Sequence, residues 1–165
     1  MTDSVNRMKA KANSAAGQPE QKHLLPSRRQ EAVVSILRAT AYVRRFGSSV
    51  FEQHGITSQQ YNVLRILRGA GPAGLPTLDI AERMIDQAPG ITRLLDRLAI
   101  KKLVRRERPS DDRRQVLCYV TNAGLSLLSE LDTPLRNQAN KALSMLNDAE
   151  LDELIRLLGR IRAEK

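Results

Sequence analysis

Two groups of residues in this chain carry side chains suited to chemistry with a partner. The first is Thr92, Arg93 and Arg97, which stand among the apolar residues Ile91, Leu94, Leu95 and Leu98 in a segment that opens at Pro89 and Gly90. An arginine fork can donate two parallel hydrogen bonds to O6 and N7 of a guanine, and the free backbone N–H groups at a helix start can meet a phosphate. The second is residues 101–114, where Lys101, Lys102, Arg105, Arg106, Arg108, Arg113 and Arg114 face Glu107, Asp111 and Asp112, a local net charge of +4. Such a density of cations suits a phosphate backbone, and an arginine at a hairpin tip can enter a narrow minor groove. Each group has a plainer reading. Arg93 or Arg97 could pair with Asp96, and the cationic run could be a solvated turn. The candidate contacts to a polyanion are therefore Pro89, Gly90, Thr92, Arg93, Arg97, Arg108, Arg113 and Arg114, with Asp112 better suited to holding a neighbouring arginine.

Composition narrows the partner. The chain has 165 residues, 27 Lys+Arg against 18 Asp+Glu and a formal charge of +9, an excess that favours nucleic acid or an anionic membrane surface. Its length allows one domain with a sizeable core. Aromatic residues make up 3% with no Trp, which leaves little for stacking single-stranded bases. No apolar run approaches the roughly 20 residues that span a bilayer, and the N-terminus lacks the apolar core of a secretory signal, so the expected place is cytoplasmic, with no membrane partner. One cysteine, Cys118, and two histidines, His23 and His54, give no disulfide framework and no metal-ligand spacing, so neither a metal nor a cofactor is expected. No nucleophile–base pair or paired carboxylates stand out, and the glycine-rich GAGPAG at 69–74 lacks the lysine of a phosphate-binding loop. An enzyme is not expected.

These residues must be positioned by the elements around them. Residues 1–26 are polar and lack apolar periodicity, the pattern of a disordered tail. Ser27 can cap a long first helix that Gly55 stops, and Thr57 with Gln60 forms a capping-box spacing for a second that Gly69 with Gly71 and Pro72 ends. Pro76 suits the first turn of a third helix carrying Leu78, Ile80, Ala81 and Met84. After a break at residues 88–90, a helix of residues 89–102 follows. Residues 103–108 and 115–120 alternate as the strands of a hairpin with a charged tip. Helical spacing resumes from Asn122, with a kink or break expected at Pro134, and Asn147 with Glu150 caps a last helix. Helix, tight turn, helix and basic hairpin is the order of a winged helix-turn-helix, so the predicted fold is mainly α with a small β-hairpin wing.

The stretches LPTLDIAERM (75–84), GITRLLDRL (90–98), LVRR (103–106) and DRR (112–114) resemble the reading head of the MarR family of bacterial regulators. The similarity covers 27–162, one domain with a DNA-binding region at 75–120 and dimerisation helices at 27–55 and 122–162. The resemblance implies an obligate homodimer that binds a pseudo-palindromic double-stranded DNA operator, with Arg93 as the base reader and Arg114 as the wing-tip residue in the minor groove. It also implies a repressor released by a small aromatic or lipophilic effector, for which Tyr42, Phe46, Phe51, His54 and Tyr61 are the candidate pocket residues, each with core packing as its plainer reading. A winged-helix protein-interaction module with no specific DNA target is the alternative. The chain departs from the family at Lys102, where glycine is usual: a lysine there would either hold a left-handed C-terminal position at a cost of about 1 kcal/mol or force another turn geometry and move the start of the first strand. Cys118, on the second strand, is expected to be a buried small apolar residue and not a redox sensor.

Overall fold

The computed structural model describes residues 27–86, 90–108 and 115–162. Contacts divide the chain into two units, residues 1–36 and 37–165. The described part of the first is the beginning of helix α1 (Arg28–Gln53), which Ser27 caps by accepting the Gln30 N–H at 3.2 Å. Everything else described belongs to the second unit. There Thr57 starts α2 (Ser58–Ala70): its hydroxyl accepts the Gln60 N–H at 3.2 Å, and the Gln60 side chain accepts the Thr57 N–H at 3.0 Å. The capping box predicted from spacing is therefore closed in both directions.

Helices α3 (Thr77–Arg83) and α4 (Ile91–Ile100) follow, the latter opening at Gly90, whose φ of +103° is left-handed. The predicted helix at 89–102 is shorter by two residues at each end. Pro89 lies outside the described residues, as do Asp112, Arg113, Arg114 and the expected tail at 1–26. Strands β2 (Val104–Glu107) and β3 (Leu117–Val120) form the hairpin, pairing Val104 with Val120 and Glu107 with Leu117.

Two expectations need correction. Pro76 does not sit in the first turn of α3. With ψ at 150° it is extended, and Leu75–Pro76 forms a third strand, β1, antiparallel to β3 with Leu75 opposite Cys118. The sheet order is thus β1-β3-β2. Pro134, for its part, does not break the chain: α5 runs from Asn122 to Ala142 through it. Pro134 has no N–H for the carbonyl four residues back, but Glu130 is exposed, so water can take that hydrogen bond. The end of α2 falls within the predicted glycines, at Ala70, where Gly71 supplies the positive φ that stops it. Helix α6 (Asp148–Arg162) starts at a second reciprocal box, in which Asn147 and Glu150 exchange bonds of 2.9 and 3.0 Å.

One core holds α2 to α5 and the sheet together. Val63, Leu64 and Leu67 of α2, Ile80 of α3, Leu95 and Leu98 of α4, Val104 of β2, Cys118 of β3 and Leu128 of α5 converge in it. A smaller cluster of Val50, Ile56 and Leu131 joins the end of α1 to α5. Burial of this kind is worth roughly 1.5–3 kcal/mol for each large aliphatic side chain, so α4 is fixed by Leu95 and Leu98 while its other face stays free. The wing side is set by a close approach: at Gly74 a Cβ would lie 2.5 Å from the Tyr119 ring, so only glycine fits where the chain enters β1.

Candidate nucleic-acid interface

The periodicity that buries Leu95 and Leu98 turns Thr92, Arg93, Asp96, Arg97 and Ile100 outward as one exposed stripe. Asp96 could have bound either neighbouring arginine. It pairs instead with Arg106, ten residues on in β2. Among the described residues no ion pair or hydrogen bond engages the Arg93 or Arg97 side chain, so their guanidinium groups face outward with donors available to an external partner. Gly90 adds to this surface. Its left-handed backbone turns the chain into α4, and its carbonyl accepts the first helical bond, from Leu94 N–H at 3.2 Å.

The cations of the hairpin are not equivalent. Strand alternation turns Val104 and Arg106 inward and Arg105 and Glu107 outward. Arg106 lies opposite Cys118, is mostly buried, and leaves its Nε buried with no hydrogen-bond partner. Its charge is spent on Asp96, an ion pair that ties the hairpin to α4. Arg105 sits over the Tyr119 ring, its guanidinium carbon 3.9 Å from the ring centre, and pairs with Glu107. Lys101 donates to the carbonyl of Gly55 in the turn between α1 and α2. Of the seven cations at 101–114, these three have partners within the chain, whereas Lys102 and Arg108 are exposed. Spacing alone missed the Asp96–Arg106 and Lys101–Gly55 contacts. Strand alternation could have found the first, because it makes Arg106 an inward-facing charge in need of an acid.

Lys102 takes the left-handed geometry, with φ at +59°, the sole positive φ of a non-glycine among the described residues. Its N–H bonds to Ala99 O at 2.9 Å and the next N–H, Leu103, to Leu98 O at 3.0 Å, the pair of bonds that ends a helix around a glycine in other proteins. Cys118 is fully buried, as expected. Burial pushes its thiol pKa up, opposed by hydrogen bonds from Thr77 and Arg106 and by the Arg106 charge.

Of the candidate pocket residues, Tyr42, Phe46, His54 and Tyr61 do not converge. Tyr42 packs edge-on against Phe46 along α1, ring centres 5.0 Å apart, and Tyr61 packs on Phe51 at 5.1 Å. His54 Nδ1 is 2.8 Å from the carbonyl of Val50. A cleft of about 480 Å³ lies beside them, lined by none of the four. Its walls are Val43, Phe51, Ile56, Met84 and Ile85, with Arg44 gripping both oxygens of Asp86 at 2.7 and 3.0 Å. Asp86 stands just ahead of the segment that leads into α4.

Comparison with known proteins agrees with this arrangement. The MarR family model matches residues 56–116, from the start of α2 to the wing. The HTH-type transcriptional regulator MgrA of Staphylococcus aureus is 29% identical over 134 residues, 81% of this chain and 88% of that protein. The fold is also similar to that of Bordetella bronchiseptica BpsR, whose DNA binding is regulated by 6-hydroxynicotinic acid, at 25% identity and TM-score 0.71, covering 79% of this chain and 98% of that one. The crystal structure of a MarR transcription factor from Planctomyces limnophilus is 41% identical, with TM-score 0.65, and the match covers 82% of this chain and 98% of that one. With two in five residues shared across almost the whole of that regulator, this chain belongs to the MarR family of DNA-binding winged-helix transcriptional regulators.

Proposed function

We propose that the chain binds a pseudo-palindromic double-stranded DNA operator as a homodimer and represses transcription in the cytoplasm, by binding and not by catalysis. The observation that carries this reading is the exposed stripe of α4, where Arg93 and Arg97 have no partner among the described residues and Asp96, their nearest acid in sequence, is held by Arg106. In this reading Arg93 reads a base edge, Thr92, Gly90 and Arg97 meet the backbone or neighbouring bases, and Arg108 with Arg113 and Arg114 follows the phosphates into the flanking minor groove. Pro89 leads the chain to the helix start, and Asp112 steadies the wing arginines. The domain spans 27–162, with residues 75–120 reading DNA and 27–55 with 122–162 forming the dimer.

The effector belongs in the cleft beside Arg44 in this reading, not among Tyr42, Phe46 and Tyr61, whose rings pack on other rings, or His54, whose Nδ1 meets the Val50 carbonyl. Apolar walls with one arginine fit a small aromatic acid, which would compete with Asp86 for Arg44. That exposed pair is worth at most about 1 kcal/mol, so exchange is cheap. The Bordetella relative, regulated by such an acid, supports the same chemistry.

The test is fluorescence anisotropy with a duplex selected from a random pool. Arg93→Ala should weaken specific binding by about 1–3 kcal/mol and leave binding to random duplex nearly intact. Unchanged specific affinity in a folded variant rejects Arg93 as base reader. A wild type that ignores random duplex even at low salt favours a protein-interaction module. Repeating the titration with benzoate should weaken binding; no response counts against an aromatic acid.

A further inference from the structure

We propose that Ile100 is a second base-reading residue, and that its ligand is the C5-methyl group of thymine in the major groove. The inference rests on the reading of α4 as the DNA-facing helix and adds a specificity contact to it.

Ile100 lies seven positions after Arg93. At 3.6 residues per turn this places the two side chains within about 20° of each other around the axis and about 10 Å apart along it. Ile100 therefore continues the stripe of Thr92, Arg93, Asp96 and Arg97, on the side opposite the buried Leu95 and Leu98. It is 80% exposed, so its aliphatic body serves no core. Its position is firm: the helix end beside it is closed by the Lys102 and Leu103 N–H bonds, and Lys101 is tied to Gly55. The surrounding cations, Arg93, Arg97 and Lys102, make this face electrostatically complementary to DNA. A separation of about 10 Å corresponds to about three base steps at 3.4 Å each. An isoleucine cannot use the donors and acceptors of base edges. The one apolar group that the four bases present in the major groove is the thymine methyl, and packing against it removes both from water.

The experiment uses the full chain and the selected duplex. Each thymine is replaced in turn by deoxyuridine, which keeps every hydrogen-bonding group and lacks only the methyl. Wild type should lose about four-fold in affinity at one thymine position in each half-site, the worth of one buried methyl. Ile100→Ala, a favourable exposed helix substitution that should fold, should bind the thymine and deoxyuridine duplexes equally, and Ile100→Val should keep part of the discrimination. The proposal is overturned if Ile100→Ala distinguishes thymine from deoxyuridine as wild type does, or if no replacement affects wild type. If wild type selects no sequence at all, the reading of α4 as a DNA reader falls, and this contact with it.

Discussion

Lys102 holds a left-handed φ of +59° at a place where glycine carries no penalty. A side chain in that region costs roughly 1 kcal/mol, and the conformation persists because Leu103, immediately after it, packs on the core and its N–H closes the helix end. Lys102→Gly should therefore raise the free energy of unfolding by about 0.5–1 kcal/mol in urea titration, part of the relief being returned as chain entropy. The same variant loses an exposed cation beside the reading helix, so its affinity for DNA should fall as its stability rises. A less stable variant would mean that the lysine stem makes contacts worth more than the strain. Here the sequence was informative in an unusual way, since the departure from glycine marked a residue whose backbone kept the expected shape.

Among the elements, α4 and the hairpin are joined by Asp96 and Arg106, so the helix and the wing are held together as one surface. Asp96→Asn should free Arg106, steepen the salt dependence of binding by up to about one unit of log K against log salt, and raise affinity for random duplex. Specific affinity, measured by anisotropy across a salt series, should lag behind because the hairpin is no longer set against α4. If specific and non-specific affinity rise together, the carboxylate only repels DNA and ties nothing. Local signals in the sequence were reliable at this scale: Thr57 with Gln60 and Asn147 with Glu150 are complete capping boxes because both partners lie within one turn. Signals that depend on distant partners were not legible. Leu75–Pro76 becomes a strand because β3, beyond both reading helices, pairs with it, and two residues carry no periodicity. The same holds for the cleft: Phe51 on its wall was legible as an aromatic residue near the junction, but the pairing of Arg44 with Asp86, 42 residues apart, was not.

For the whole molecule, the last helix presents the open question of where its apolar side goes. Helix α6 buries no residue of its own, and Ile155, Leu158 and Ile161 are exposed at three-residue spacing. A second copy is the occupant that the family membership supplies, since a row of this kind on a monomer would stay in water. Ile155→Glu should shift the sedimentation of the chain from dimer toward monomer while leaving helix content by circular dichroism unchanged. A variant that still sediments as wild type would place the interface elsewhere.

Cys118, buried under Thr77 and Arg106 with its thiol pKa pushed up, has one more consequence. Because it is the chain's single thiol, it is a built-in clock for the seam between β1, α3 and the wing. A thiol reagent can consume it only when that seam parts, so the pace of labelling counts openings of the reading head, one signal per subunit. Read with the operator duplex bound and then removed, that clock would register how firmly DNA holds the head shut.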